Sequence, residues 1–169
     1  MYLVRKEKMK EYEYSFKVTD IKPYIDYCEN ENYVKKEESS QIRVLYRNTN
    51  NTMARITTKE KNGVKRTFLD FKDDNSAREV LKISRETIPL EVTVENKNAI
   101  DSILEMLEYK EDKTLIRNRL VYSNGNVIFE LDNYSSPEVM FVVGIEGKKE
   151  FVDKVYFELK DKINNMLCE

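Results

Sequence analysis

Two carboxylates, Glu11 and Glu13, stand two residues apart in the stretch KEYEYSFKV from Lys10 to Val18. Side chains alternate along an extended chain, so Glu11, Glu13, Ser15 and Lys17 share one side and Tyr12, Tyr14, Phe16 and Val18 the other. Two carboxylates aimed the same way repel unless water, a cation or basic groups lie in front of them. The pair is therefore either a wet outer surface or the start of a metal site. Charges of both signs recur on the polar sides of later strands: Arg55, Lys72, Arg85, Arg117 and Arg119 as cations, and Glu130, Asp132 and Glu146 as anions.

The 169 residues contain no histidine. Histidine general bases, Ser/His/Asp and Cys/His triads and HExxH zinc sites are excluded, and any metal must be held by carboxylate oxygen, which selects Mg²⁺, Mn²⁺ or Ca²⁺. Cys28 and Cys168 lack CxxC spacing and read as reduced, packed thiols. With only four glycines and no Gly-rich phosphate loop, a P-loop or dinucleotide fold is excluded. The net charge of −2 predicts no general attraction to nucleic acid or to an anionic membrane, so an anion site here has to be local. No apolar run approaches the roughly 20 residues of a membrane span, and MYLVRKEKMK is charged where a signal peptide needs an apolar core; a cytoplasmic location is expected.

The elements that must position these charges follow from periodicity. After the first strand, Asp20 caps a short helix with Ile21, Tyr24, Ile25 and Cys28 at helical spacing, and Val34 to Ser40 reads as a loop. Gln41–Arg47, Thr52–Lys59 and Val64–Lys72 read as strands, with a hairpin at Asn62-Gly63. After a break at Asp73–Ala77, Val80–Glu95 contains a further strand with Ile88, Leu90, Val92 and Val94 on its apolar side, and Pro89 places it at an edge or bulge. A second helix from Asn98 carries Ile100, Ile103, Leu104 and Leu107, and Tyr109–Lys113 is a polar exit. Leu115–Tyr122, Asn126–Asp132 and Val139–Glu146 are strands with turns at Asn124-Gly125 and Ser135-Ser136-Pro137. A last helix, Lys149–Leu167, buries Val152, Val155, Tyr156, Leu159, Ile163 and Leu167.

The predicted class is α+β: one domain over 1–169, made of two similar halves (about 9–72 and 84–146) and a C-terminal helix. Its eight antiparallel strands close into a β-barrel with the helices packed outside. Three apolar helix stripes need a sheet face to cover, which turns the charged faces toward one another. A one-sided wet sheet would show the same alternation strand by strand. A lumen holding both signs is costly unless the charges, or a ligand, neutralise one another. A triphosphate with Mg²⁺ or Mn²⁺ satisfies both sets: Arg and Lys take phosphate oxygens, and carboxylates take the cation that bridges them.

These residues resemble the CYTH family of triphosphate tunnel enzymes, which includes class IV adenylyl cyclases, thiamine triphosphatases and inorganic tripolyphosphatases. Glu11-Tyr-Glu13-Tyr-Ser15-Phe16-Lys17 resembles its ExExK signature, Arg55-Ile56 its basic strand, and Leu69-Asp70-Phe71-Lys72 its LTxK strand. Ser84-Arg85-Glu86 resembles the SRE segment of the cyclase-like branch, Ile116-Arg117-Asn118-Arg119 the KxR strand, Phe129-Glu130-Leu131-Asp132 the strand ending in LD, and Gly144-Ile145-Glu146 the closing ExE. The resemblance implies an eight-stranded triphosphate tunnel and an Mg²⁺- or Mn²⁺-dependent enzyme, a class IV-like cyclase making cyclic AMP and pyrophosphate from ATP or, alternatively, a triphosphatase. Glu11, Glu13 and Glu146 would be metal ligands, with Glu130 and Asp132 as further ones, and Lys17, Arg55, Lys72, Arg85, Arg117 and Arg119 would hold phosphates. For Glu130, Asp70 and Lys59, salt bridges across the lumen are an equal alternative. The implied partner is a nucleoside triphosphate or inorganic triphosphate, with no nucleic acid, no membrane, and a homodimer left open. Ser15 stands where the signature has lysine, Thr57 where a second Arg is usual, and Gly144 where the closing pair has its first Glu; these departures suggest a third alternative, a catalytically impaired binding module.

Overall fold

The computed structural model describes residues 11–73 and 81–166, without the side chains of Glu11 and of 163–166. The start of the first predicted strand at Lys10, the predicted break through Ala77, the stripe residues Ile163 and Leu167, and Cys168 lie outside those bounds. The elements run β1 (Glu11–Val18), α1 (Lys22–Asn30), β2 (Val34–Arg47), β3 (Thr52–Lys61), β4 (Val64–Asp73), β5 (Leu81–Ser84), β6 (Leu90–Val92), α2 (Lys97–Met106), β7 (Lys110–Ser123), β8 (Val127–Ser136), β9 (Met140–Gly147) and α3 (Lys149–Met166).

All nine strands pair antiparallel in one sheet, in the order β5-β1-β9-β8-β7-β2-β3-β4-β6, so strands from both halves of the chain are interleaved. The expected eight become nine because the segment predicted as one strand is interrupted. Pro89 supplies no N–H to a ladder and stands between β5 and β6, and Ile88 and Val94, expected on the apolar side, are 83% and 93% exposed. The expected closed eight-stranded barrel is likewise replaced by a sheet with two ends. Those ends are successive pieces of one segment that transfers its hydrogen bonds from one neighbour to another. Leu81–Ser84 pairs with β1 and Leu90–Val92 with β4. Between them Asp73 N donates to Arg85 O (3.1 Å), Thr87 N donates to Phe71 O (2.9 Å), and Lys72 and Glu86 bridge. The sheet is strongly curled, since β1 and β4, second and eighth in the order, meet through Lys72 Nζ and Glu13 Oε2 at 3.3 Å.

Val34–Ser40 and Tyr109–Lys113, read from their polarity as loop and exit, are strand. β2 and β7 pair from Val34↔Ser123 to Arg47↔Lys110, with shifts at Lys35/Glu37 and Leu45/Tyr46. Backbone pairing extends both strands through residues that are mostly exposed, where neither face has to be apolar. β8 similarly runs through Ser135 and Ser136, where the sequence predicts a turn. The Asn62-Gly63 hairpin forms as expected, with φ of 52° and 76° at its two residues, the left-handed pair that a tight antiparallel turn requires.

The helices cover the apolar side of the sheet in two places. α1 and α3 close over β1, β8 and β9, with Cys28, Val127, Phe129, Leu131, Val143, Ile145 and Val152 fully buried beneath them. Asp20 Oδ1 accepts the Lys22 N–H (2.9 Å) to start α1, and Asn32, at φ 61°, ends the turn after it. α2 seats Ile100 and Leu104 against Ala54 and Leu69 of β3 and β4. Ile103 and Leu107, expected on that stripe, are about half exposed at its flanks. Among the described residues no helix is long and apolar enough to cross a membrane.

Gly147 joins β9 to α3 with φ 153°, and a Cβ there would stand 2.5 Å from the Asn126 carbonyl oxygen, a backbone atom that cannot swing aside. Gly147→Ala is expected to destabilise the protein by roughly 1–3 kcal/mol, read from urea unfolding midpoints; an unchanged midpoint would show that the β9–α3 junction tolerates a side chain.

Candidate functional site

The concave side of the curled sheet encloses a cavity of about 450 Å³. Strand parity sets its lining. On β1, Glu13 and Ser15 face in while Tyr14 faces the helices; on β7, Arg117 and Arg119 face in; on β8, Glu130, Asp132 and Tyr134; on β9, Val142, Gly144 and Glu146. Charged faces turned toward one another, with apolar faces beneath helices, is the arrangement that the alternating patterns predict.

Acidic groups gather on the β1–β9–β8 wall. Glu13 and Glu146 are register partners, and Gly144 is the partner of both Ser15 and Glu130. A Cβ at Gly144 would lie 3.5 Å from Glu13 Oε1 and 3.5 Å from Glu130 Cβ, ordinary contacts that place both carboxylate side chains beside this position. Burial, then the negative charges of Glu130 and Glu13, push the Glu146 carboxyl up to about 8. No cation stands within ion-pair distance of Glu146 among the described residues.

Basic groups gather on β7, β2 and β3. Arg117 and Asp132 are each 3% exposed. Arg117 donates through Nη1 to Asp132 Oδ2 (3.0 Å) and the Tyr134 hydroxyl (2.8 Å), and through Nε and Nη2 to Gln41 Oε1 (3.1 and 2.9 Å). Arg119 grips both Asp132 oxygens at 2.7 Å and also pairs with Glu130. Burial opposes the Arg119 charge, but Glu130 and Asp132 outweigh it and raise its pKa. Asp132, expected as a metal ligand, is thus committed to two guanidiniums. Glu130 is shared between a salt bridge and the acidic wall.

Between the walls, Lys72 Nζ pairs with Glu13 (3.3 Å) and Glu86 (2.8 Å), while Arg55 pairs with Asp70 and with Glu86 (3.2 Å). Although burial favours the neutral acid, Arg55 and Lys72 hold Glu86 ionised down to about 2.

The cavity therefore gathers Glu13, Glu130, Glu146, Asp132, Arg55, Lys72, Arg117 and Arg119. Glu11 lies in β1 opposite Ser84, but its side chain is outside the described residues. Two expected phosphate ligands are not brought in. Lys17, 68% exposed, pairs with Glu138 (3.2 Å) beyond the cavity rim and does not replace the lysine absent at Ser15. Arg85, 76% exposed, pairs with Asp73 (2.9 Å). Its exclusion is a matter of parity: Glu13 faces Lys82 across the ladder, so 82, 84 and 86 share the inner side and 85 points out. The inward member of Ser84-Arg85-Glu86 that bears charge is Glu86.

Inward residues that the sequence does not single out include Gln41, Arg43, Lys82, Glu86 and Tyr134. Gln41 and Arg43 alternate with apolar Ile42 and Val44, the same signal that marked the other strands. Arg43 Nε donates to Thr57 Oγ1 (2.9 Å), and no carboxylate lies within 4.0 Å of its guanidinium among the described residues. The lining is also not uniformly charged, since Leu45, Met53, Leu115 and Val142 make part of it apolar.

Among the described residues no three His, Cys, Asp or Glu side chains already stand close enough together to hold a metal ion. The donor chemistry still suits Mg²⁺ or Mn²⁺, which commonly use one or two carboxylates and complete their shell with water and substrate phosphate. Glu13 and Glu146, side by side on β1 and β9, form such a pair.

No family model matches the chain, and neither does any curated protein. Solved structures with the same fold do. The chain is similar to the PH1012 protein of Pyrococcus horikoshii OT3 (TM-score 0.70, 17% identity, 91% of this chain and 90% of that one). It is similar to a putative adenylate cyclase of Bacillus halodurans (TM-score 0.60, 17% identity, 88% and 87%). It is also similar to a chain of the Schizosaccharomyces pombe Mediator head module (TM-score 0.59, 9% identity, 95% and 95%). At these identities the likeness is one of fold.

Proposed function

We propose that the curled sheet works as a tunnel that binds a triphosphate together with a divalent cation, and that its chemistry is that of a class IV-like adenylyl cyclase. One observation carries this reading. After the cavity's ion pairs are drawn, the cations Arg43 on β2 and Lys82 on β5 and the acid Glu146 on β9 have no ion-pair partner among the described residues. An anion carrying its own divalent cation pairs with the cations and, by displacing the Glu146 proton, with that acid as well, whereas a plain anion or a plain cation answers one set. The similarity to a putative adenylate cyclase supports the same reading, and the apolar part of the lining favours a triphosphate with an organic group over an inorganic chain.

Glu13 and Glu146 would hold the Mg²⁺ or Mn²⁺, with Glu130 behind them. A cation bound there supplies Lewis-acid polarisation of the phosphate and charge neutralisation. The chain's own part is electrostatic. Arg117 and Arg119 are locked by Asp132, and Arg55 and Lys72 by Asp70 and Glu86, so guanidinium and ammonium donors stand preorganised where phosphate charge develops. In cyclisation the ribose 3′-oxygen bonds to the α-phosphorus while the bond to the bridging oxygen breaks, pyrophosphate leaves and the hydroxyl proton passes to solvent. A second reading, a binding module without turnover, is favoured by Ser15 and Gly144, which remove a lysine and a carboxylate that the resemblance implies.

With ATP and Mg²⁺ or Mn²⁺, cyclic AMP and pyrophosphate are the expected products. Orthophosphate released from ATP or tripolyphosphate would point to a triphosphatase, and tight binding with no product to the module. Arg119→Ala is expected to lower turnover about 10²–10³-fold, as loss of a preorganised donor does elsewhere, measured as steady-state kcat.

Glu146 also predicts a pH dependence. Its folded pKa, about 8, lies above its unfolded value of 4.5, so between those pH values the folded state holds the proton that the unfolded state has lost. Stability therefore falls as pH rises through that window, by on the order of 3 kcal/mol from this group. Glu146→Gln should flatten that decline in urea melts from pH 5 to 8.5. An equally steep decline in the variant would remove Glu146 as its source.

A further inference from the structure

Arg43 has the features of a group whose partner arrives with the ligand. It faces Thr57 on β3 and Leu115 on β7 in register, which makes Arg55 and Arg117 its diagonal neighbours on the same inner face. Each neighbour has its own carboxylate, Asp70 for Arg55 and Asp132 for Arg117, and Arg119 has Asp132 and Glu130. Arg43 has the Thr57 hydroxyl, a neutral acceptor that occupies one of five N–H donors. Burial, and then the positive charges of Arg117, Arg55 and Arg119, lower its pKa to about 9. A half-buried guanidinium among three others, with only the more distant Glu130 charge to oppose them, costs the free protein stability.

We infer that Arg43 is a ligand-directed cation of the cavity, a phosphate contact made from β2 in the space over Thr57, where β3 offers a hydroxyl in place of a charge. This rests on the triphosphate reading above and deepens it by naming a cavity cation that is reserved for the anion. Arg55, Lys72, Arg117 and Arg119 have to share or release a carboxylate in order to bind phosphate; Arg43 has only to turn from a hydroxyl. The arrangement trades stability of the empty protein for affinity, as preorganised sites commonly do.

The test uses the whole chain, tripolyphosphate with Mn²⁺ as the probe, calorimetric titration, and thermal melts of the ligand-free protein. Wild type is expected to bind; if it does not, the triphosphate reading fails before Arg43 is in question. Given wild-type binding, Arg43→Gln should weaken it on the order of tenfold or more, the worth of one charge-assisted contact. The ligand-free variant should melt at the wild-type temperature or a few degrees above it, because a destabilising charge has gone. Arg85→Gln, which alters a cation outside the cavity, should bind as wild type does. The double variant R43T/T57R, which returns the guanidinium to the same space from β3, should recover most of the lost affinity. Wild-type affinity in Arg43→Gln would overturn the inference and leave the triphosphate reading standing. So would a lower ligand-free melting temperature together with an affinity loss that R43T/T57R does not restore, which is the mark of a merely structural residue.

Discussion

The Asp132 carboxylate, held between Arg117 and Arg119, is the interaction on which the cavity depends. Both guanidiniums are nearly inaccessible, and a buried cation without a partner is among the costliest things a fold can contain. One acid on β8 answers two arginines on β7 across a single ladder, and Gln41 completes Arg117 from β2. Three strands, β2, β7 and β8, are thereby tied together along their charged sides.

The curl of the sheet brings its charged face together. Bending until Lys72 on β4 reaches Glu13 on β1 joins the two ends electrostatically, and Glu86, on the interrupted segment between β5 and β6, fastens both Lys72 and Arg55 at that seam. The segment changes neighbours between Ser84, paired with β1, and Arg85, bonded to β4, and Pro89 then interrupts the ladder with β4 before Leu90 resumes it.

The helices take little part in the chemistry and much in its placement. The sheet face beneath α1 and α3 carries Phe129, Leu131, Val143 and Ile145, each the immediate chain neighbour of an inward residue: Glu130, Asp132, Gly144 or Glu146. Packing on one face therefore fixes the position of charge on the other, and a one-residue slip of β8 or β9 would exchange the two sets.

Much of this was legible in the amino-acid sequence. Alternation in β1, β3, β7, β8 and β9 determines which residues share a face, and the absence of histidine limits any metal to oxygen ligands. The Asn62-Gly63 hairpin and the three helices follow from local signals alone. What the tertiary structure decided was register and company. Arg85 and Glu86 are neighbours in a polar stretch, and only pairing of Glu13 with Lys82 turns the acid inward and the arginine out. Lys17 shares a side with Glu13, yet it lies past the rim because the cavity ends near Ser15. Val34–Ser40 and Lys110–Lys113 have no apolar pattern because backbone pairing holds them, the first against 118–123 of β7 and the second against 45–47 of β2. Alternation is a property of one strand and is written in its own residues; which charge meets which depends on strands far apart in the chain, and is settled only when the sheet curls.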